Sequence, residues 1–109
     1  MANTNKVLAQ VNPSAATLTD AYTVPGATSA IVSTIVIANR SSISTSFRVS
    51  IQVANAADDN KQYLYYDILI DGNDTFVATL GITLAATDVI AVYATLATLS
   101  FNIFGVEVT

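Results

Sequence analysis

The sequence predicts an all-β fold: an antiparallel two-sheet β-sandwich, jelly-roll-like or immunoglobulin-like, of seven to eight short strands. Three observations carry that expectation. Val, Ile and Thr together fill 36 of the 109 positions, whereas Leu and Met fill nine, and side chains stiff at χ1 suit a pleated sheet better than a helix. Apolar and polar residues alternate over most of the chain, the period of a strand with one buried face. Turn signals recur roughly every 8 to 12 residues, the spacing of sandwich folds. The length supports one core, so residues 1–109 read as a single domain.

The elements follow in order. Val7, Ala9 and Val11 share one face of a first strand that stops at Asn12-Pro13-Ser14, because proline cannot donate to a ladder. Residues 1–12 thus form an N-terminal arm or an edge strand. Ala21–Val24 runs into Pro25-Gly26, the central pair of a type II turn. In Ser29–Asn39, Ile31, Ile35 and Ile37 face one way and Ala30, Val32, Val36 and Ala38 the other, which fits a central strand covered on both sides. Thr45–Val53 turns Phe47, Val49, Ile51 and Val53 inward and Ser46, Arg48, Ser50 and Gln52 outward. Polar residues Asn55–Lys61 make a loop. Gln62–Ile70 sets Leu64, Tyr66, Ile68 and Ile70 against Tyr63, Tyr65, Asp67 and Leu69. Asp71-Gly72-Asn73-Asp74 is a turn by composition. Thr75–Leu80, Asp88–Ala94 and Leu99–Val108 complete the set, with Leu99, Phe101, Ile103 and Gly105 on one face of the last. Residues 82–97 would also suit a short helix, although no cap pair sustains a long one.

Composition excludes several function classes. The chain has no Cys, His or Trp, so disulfides, thiolate or imidazole metal ligands and His- or Cys-activated nucleophiles are absent. No cofactor is expected. Net charge is −4, and the four cations Lys6, Arg40, Arg48 and Lys61 are scattered, which speaks against nucleic acid and anionic membrane. The apolar stretch 82–106 contains Asp88, Ser100 and Asn102, a poor membrane helix. The first residues lack the apolar run of a secretory signal, so synthesis in the cytoplasm is expected and the acceptor patterns Asn39-Arg40-Ser41 and Asn73-Asp74-Thr75 read as accidental.

Two constellations remain. Carboxylates gather at Asp58-Asp59 and at Asp71 and Asp74, but position twelve of an EF-type loop counted from Asp71 is Ile82 rather than Glu, so solvated turns are the better reading and no metal is expected. Tyr63 and Tyr65 stand together on the face opposite Tyr66, where an aromatic pair could anchor a protein interface or stack on a sugar. Arg40, beside Ser41-Ser42, could hold a neighbour's carboxylate.

The run Tyr22-Thr23-Val24-Pro25-Gly26, the segment Ala30–Asn39 with its Asn-Arg-Ser-Ser continuation, Phe47–Val53 and the stretch Gly81–Ile90 resemble small virion proteins of tailed bacteriophages. The resemblance covers most of the chain from Val7 onward. It implies a non-enzymatic particle component and brings no catalytic residues. A tyrosine corner of immunoglobulin type does not fit, because Asp88 and Tyr93 have the wrong spacing and no cysteines flank them.

Composition meets this resemblance in one ratio. Of the residues, 52% are hydrophobic and 11% charged, against roughly 25% charged in ordinary soluble domains, and a thin sandwich cannot hide so much apolar surface. The expected role is a capsid decoration or cement subunit in the virion, a homo-oligomer, trimer favoured, binding the major capsid protein. The alternative is a neck, tail or fibre component with host-receptor binding. Interface candidates are Val7, Ala9 and Val11, as a strand added to a neighbour's edge, with Tyr63, Tyr65 and Arg40.

Overall fold

The computed structural model describes residues 2–109. Eight strands form, β1 (Asn3–Val11), β2 (Thr19–Thr23), β3 (Ser29–Asn39), β4 (Thr45–Gln52), β5 (Tyr63–Ile70), β6 (Thr75–Leu84), β7 (Val89–Ala94) and β8 (Leu99–Val108), with short 3-10 turns at Val53–Asn55 and Asn60–Gln62. They build two four-stranded sheets of order β1-β8-β3-β6 and β2-β7-β4-β5. Every pair of neighbouring strands is antiparallel. Only β4 and β5 are both consecutive and adjacent; each other connection crosses between the sheets. This is the jelly-roll order, two Greek keys wound into a sandwich, and it rejects the seven-strand immunoglobulin arrangement.

The core lies between the sheets and centres on Phe47 of β4, fully buried. Its ring meets Phe76 at 5.1 Å, Tyr65 at 6.1 Å and Phe101 at 6.3 Å between centroids, all tilted or edge-on. Tilted contacts suit the ring quadrupoles, and here they tie β4 and β5 of one sheet to β6 and β8 of the other. Val32, Ile35, Ile37, Val49, Ile90, Leu99 and Ile103 fill the space around them.

Several expected faces are reversed, and β-bulges are the reason. One extra residue moves everything beyond it to the opposite face of the sheet. In β3 the partners step from Val32↔Gly105 to Thr34↔Phe104, leaving Ser33 as the extra residue. The core face is therefore Ala30 and Val32 before Ser33 and Ile35, Ile37 and Asn39 after it, while Ile31 is 45% exposed. Within this chain β3 is central but covered on one side. In β1 the step from Val7↔Phe104 to Ala9↔Ile103 leaves Leu8 extra; Leu8 is buried with Ala9 and Val11 against the core, and Val7 points outward. The predicted common face of Val7, Ala9 and Val11 does not form.

Three further expectations are corrected. Val53, predicted inward, is 65% exposed because the strand ends at Gln52 and a 3-10 turn begins. The type II turn at Pro25-Gly26 does not form; Gly26 and Ala27 are its central residues, and Ala27 takes the left-handed conformation at φ 56°. No helix occupies 82–97: β6 continues to Leu84, and Ala85–Asp88 is a turn closed by Asp88 N–H to the Ala85 carbonyl at 3.1 Å.

Candidate functional site

The outer face of the β2-β7-β4-β5 sheet carries a dense cluster of polar and aromatic groups. Arg48 of β4 lies opposite Tyr93 of β7 in the ladder. Its guanidinium is sandwiched between the rings of Tyr66 at 4.1 Å and Tyr93 at 4.3 Å. Asp67 of β5 holds the same group through Nε at 2.7 Å and a terminal nitrogen at 3.3 Å, a bidentate pair. That hydrogen bond, more than anything else, raises the Arg48 pKa above its ordinary value. Tyr63 stands edge-on to Tyr66 at 5.0 Å, and its hydroxyl donates to Asp58 at 2.9 Å. Burial first, and that acceptor second, push its pKa up. Asn60, Tyr63 and Tyr66 line a shallow groove beside the cluster.

The tyrosine pairing differs from expectation. Tyr65 packs into the core against Phe47 and Phe76, and Tyr66 is 53% exposed beside Tyr63. The ladder steps from Val49↔Tyr65 to Phe47↔Ile68, so β5 spends an extra residue there, and Asp67 takes a left-handed φ of 54°. Sequence reasoning missed Arg48, Tyr66, Asp67 and Tyr93 as a group. Outward alternation exposed Arg48, but only the β4–β7 register brings Tyr93 to it.

The other candidates are dispersed. Arg40 donates to the Ala97 carbonyl at 3.2 Å and lies in the β3–β4 loop, far along the chain from the tyrosines. Residues Asn3–Val11 are an edge strand laddered to β8, not a free arm, and Ala2 and Thr109 beyond its start exchange backbone bonds of 2.8 and 2.9 Å. Asp59 caps its own 3-10 turn by accepting from Lys61 N–H. Asp71 and Asp74 belong to the β5–β6 turn. Among the described residues, no group of three or more His, Cys, Asp or Glu gathers for a metal, and no helix is long and apolar enough to cross a membrane. Asn39 is 3% exposed, its amide donating to the Ile43 and Asp71 carbonyls, so that acceptor pattern is closed to solvent.

The outer face of the β1-β8-β3-β6 sheet is chemically opposite. Its rows read Asn5, Val106, Ile31, Thr83; then Val7, Phe104, Thr34, Thr79; then Gln10, Asn102, Val36, Val77. Val7, Ile31 and Val77 are 45, 45 and 57% exposed. Among the described residues no charged side chain stands in these rows. Lys6 and Glu107 alternate to the other side, where Lys6 Nζ meets Glu107 at 3.3 Å and the Tyr22 hydroxyl of the facing sheet donates to Glu107 at 2.5 Å. No family model, curated protein or solved structure matches the chain.

Proposed function

We propose that this chain is a non-enzymatic structural subunit of a bacteriophage virion, a decoration or cement protein that oligomerises and binds across junctions of the major capsid protein. The observation that carries the reading is the uncharged outer face of the β1-β8-β3-β6 sheet. Single exposed apolar residues are ordinary, but three rows in which Val, Ile, Phe and Thr alternate with amides and no charge intervenes have the composition of an interface core, where charged residues are depleted. Contacts of this kind need no titrating group. In the cluster around Arg48 the guanidinium and Asp67 hold one another. The sequence resemblance to small virion proteins points the same way, and jelly rolls recur in viral capsid and lectin domains, an analogy of architecture rather than of site.

Quantitative mass spectrometry of density-banded particles of the encoding phage tests the proposal. Copy number comparable to that of the major capsid protein is the expected result; a few copies per particle would move the chain to neck, tail or fibre, and absence would sink the reading. Ile31→Lys, which plants a charge on an interior strand of the face, lowers occupancy on particles several-fold while the isolated chain still folds.

A further inference from the structure

We infer that β6 is a self-association seam, at which two copies of the chain pair antiparallel across a twofold axis and join their four-stranded sheets into one of eight. A sheet edge presents unpaired N–H and C=O groups and invites another strand, so proteins blunt edges with charge, shortness or bulges. Three of the four edges here are blunted. β1 carries Lys6 and the extra residue Leu8; β2 has five residues, Asp20 and a register shift beside it; β5 has Asp67 and two irregularities. β6 has ten residues, Thr-Phe-Val-Ala-Thr-Leu-Gly-Ile-Thr-Leu, with no charge and no proline. Its irregularity is confined to the step between Thr79 and Ile82, so Thr75–Thr79 is a regular ladder on β3 with its far side open.

An open backbone edge fixes the occupant as an extended strand, and the residues of β6 fit a second β6. With the axis at Val77, Val77 faces Val77 of the other copy, Thr75 faces Thr79, and bulky Phe76 faces small Ala78. Such cross-strand pairs each stabilise a sheet, and a twofold contact brings the same patch from both copies. Nothing charged meets its like: the two Asp74 residues would stand six positions apart along the seam, on the order of 20 Å, beyond the screening length at physiological salt. β5 borders the same open side, since Tyr65 and Phe76 are in edge-on contact at 5.4 Å, and it adds exposed Leu64 and Leu69. The seam rests on the reading above only in supposing an oligomer, and it builds even-numbered assemblies rather than the trimer expected from sequence.

The chain has no cysteine, so Val77→Cys places one thiol on the proposed axis. Directly opposed residues of an antiparallel pair have Cα atoms about 4.5 to 5.5 Å apart, within disulfide reach. Under mild oxidation V77C gives a covalent dimer, whereas Ile31→Cys, exposed but on an interior strand, remains largely monomeric. Sedimentation of the wild type gives twice the 11.4 kDa chain mass, and Val77→Lys with Thr79→Lys gives the monomer with an unchanged circular dichroism spectrum. Equal crosslinking of the two cysteine variants, a trimeric or monomeric wild type at high micromolar concentration, or a dimer that survives both lysines overturns the seam. A chain abundant on particles whose V77C variant fails to crosslink would leave the virion reading standing and remove the seam alone; an efficient crosslink with no chain on particles does the reverse.

Discussion

Tyr22 and Glu107 show how much one polar pair contributes to joining two sheets. The hydrogen bond from Tyr22, and then Lys6, hold the Glu107 carboxyl below its ordinary pKa of 4.5, although burial opposes them. Burial first, and then Glu107, raise the Tyr22 hydroxyl well above its ordinary 10.0. The signs follow from linkage. Glu107 contributes stability above pH 4.5 that is lost as pH falls through its lowered folded value; Tyr22 contributes below pH 10 and loses that as pH rises through its raised one. Tyr22→Phe should cost about 1.5–3 kcal/mol near neutrality, the range for a hydrogen bond to a charged group, and should flatten the acid limb of a urea-unfolding series. A variant with the wild-type acid limb would refute this. Asp88 is buried and accepts from Ala54 N–H at 2.8 Å and Ala85 N–H at 2.9 Å, fastening the loop after β4 to the turn before β7. Asp88→Ala removes the acceptor from both donors, and a hydrogen bond to a charged group contributes about 1.5–3 kcal/mol. Chemical denaturation should therefore show a loss of at least about 2 kcal/mol.

At the scale of the element, the strands are legible and the faces of several are not. Turn chemistry marks ends: Ser29–Asn39 and Leu99–Val108 match the observed strands residue for residue, and most others fall within two. Facing depends on parity, and parity depends on bulges at Leu8, Ser33 and beside Asp67, none of which has a glycine to announce it. β8 has no bulge in its own register, and simple alternation gives both of its faces. The same reason hid the Arg48 cluster, since Tyr66 reaches Arg48 only because β5 bulges. Gly105 tests the packing behind these ladders. A Cβ there would sit 2.1 Å from the Ile31 carbonyl oxygen, a backbone atom that cannot swing away. Gly105→Ala should lose roughly 3 kcal/mol or more, at the severe end for single substitutions. Gly26→Ala meets nothing within 4 Å and needs no positive φ, so thermal unfolding should find it neutral or up to about 1 kcal/mol more stable.

For the whole molecule, the ratio of apolar to charged residues foretold an excess of apolar surface, and the jelly roll sorts that excess by face. Charge and aromatic rings collect outside β4, β5 and β7, while the outer face of the opposite sheet carries no charged side chain among the described residues. Composition announces the surplus; only strand order says which side carries it. Phe47 joins the two sides, and Phe47→Ala should cost about 3–5 kcal/mol, a large share of the roughly 5–15 kcal/mol that a domain possesses; calorimetry that found a small change would contradict the central role given to its ring. The pairing of Ala2 with Thr109 has a consequence for engineering. Ala2 and Thr109 meet, so a short linker between these two residues closes residues 2–109 into a ring that can be reopened elsewhere. The exposed segment Ala56–Asn60 is the natural place to cut, and a permutant beginning there would carry cargo beside the β4–β5 edge rather than beside the β1–β8 ladder.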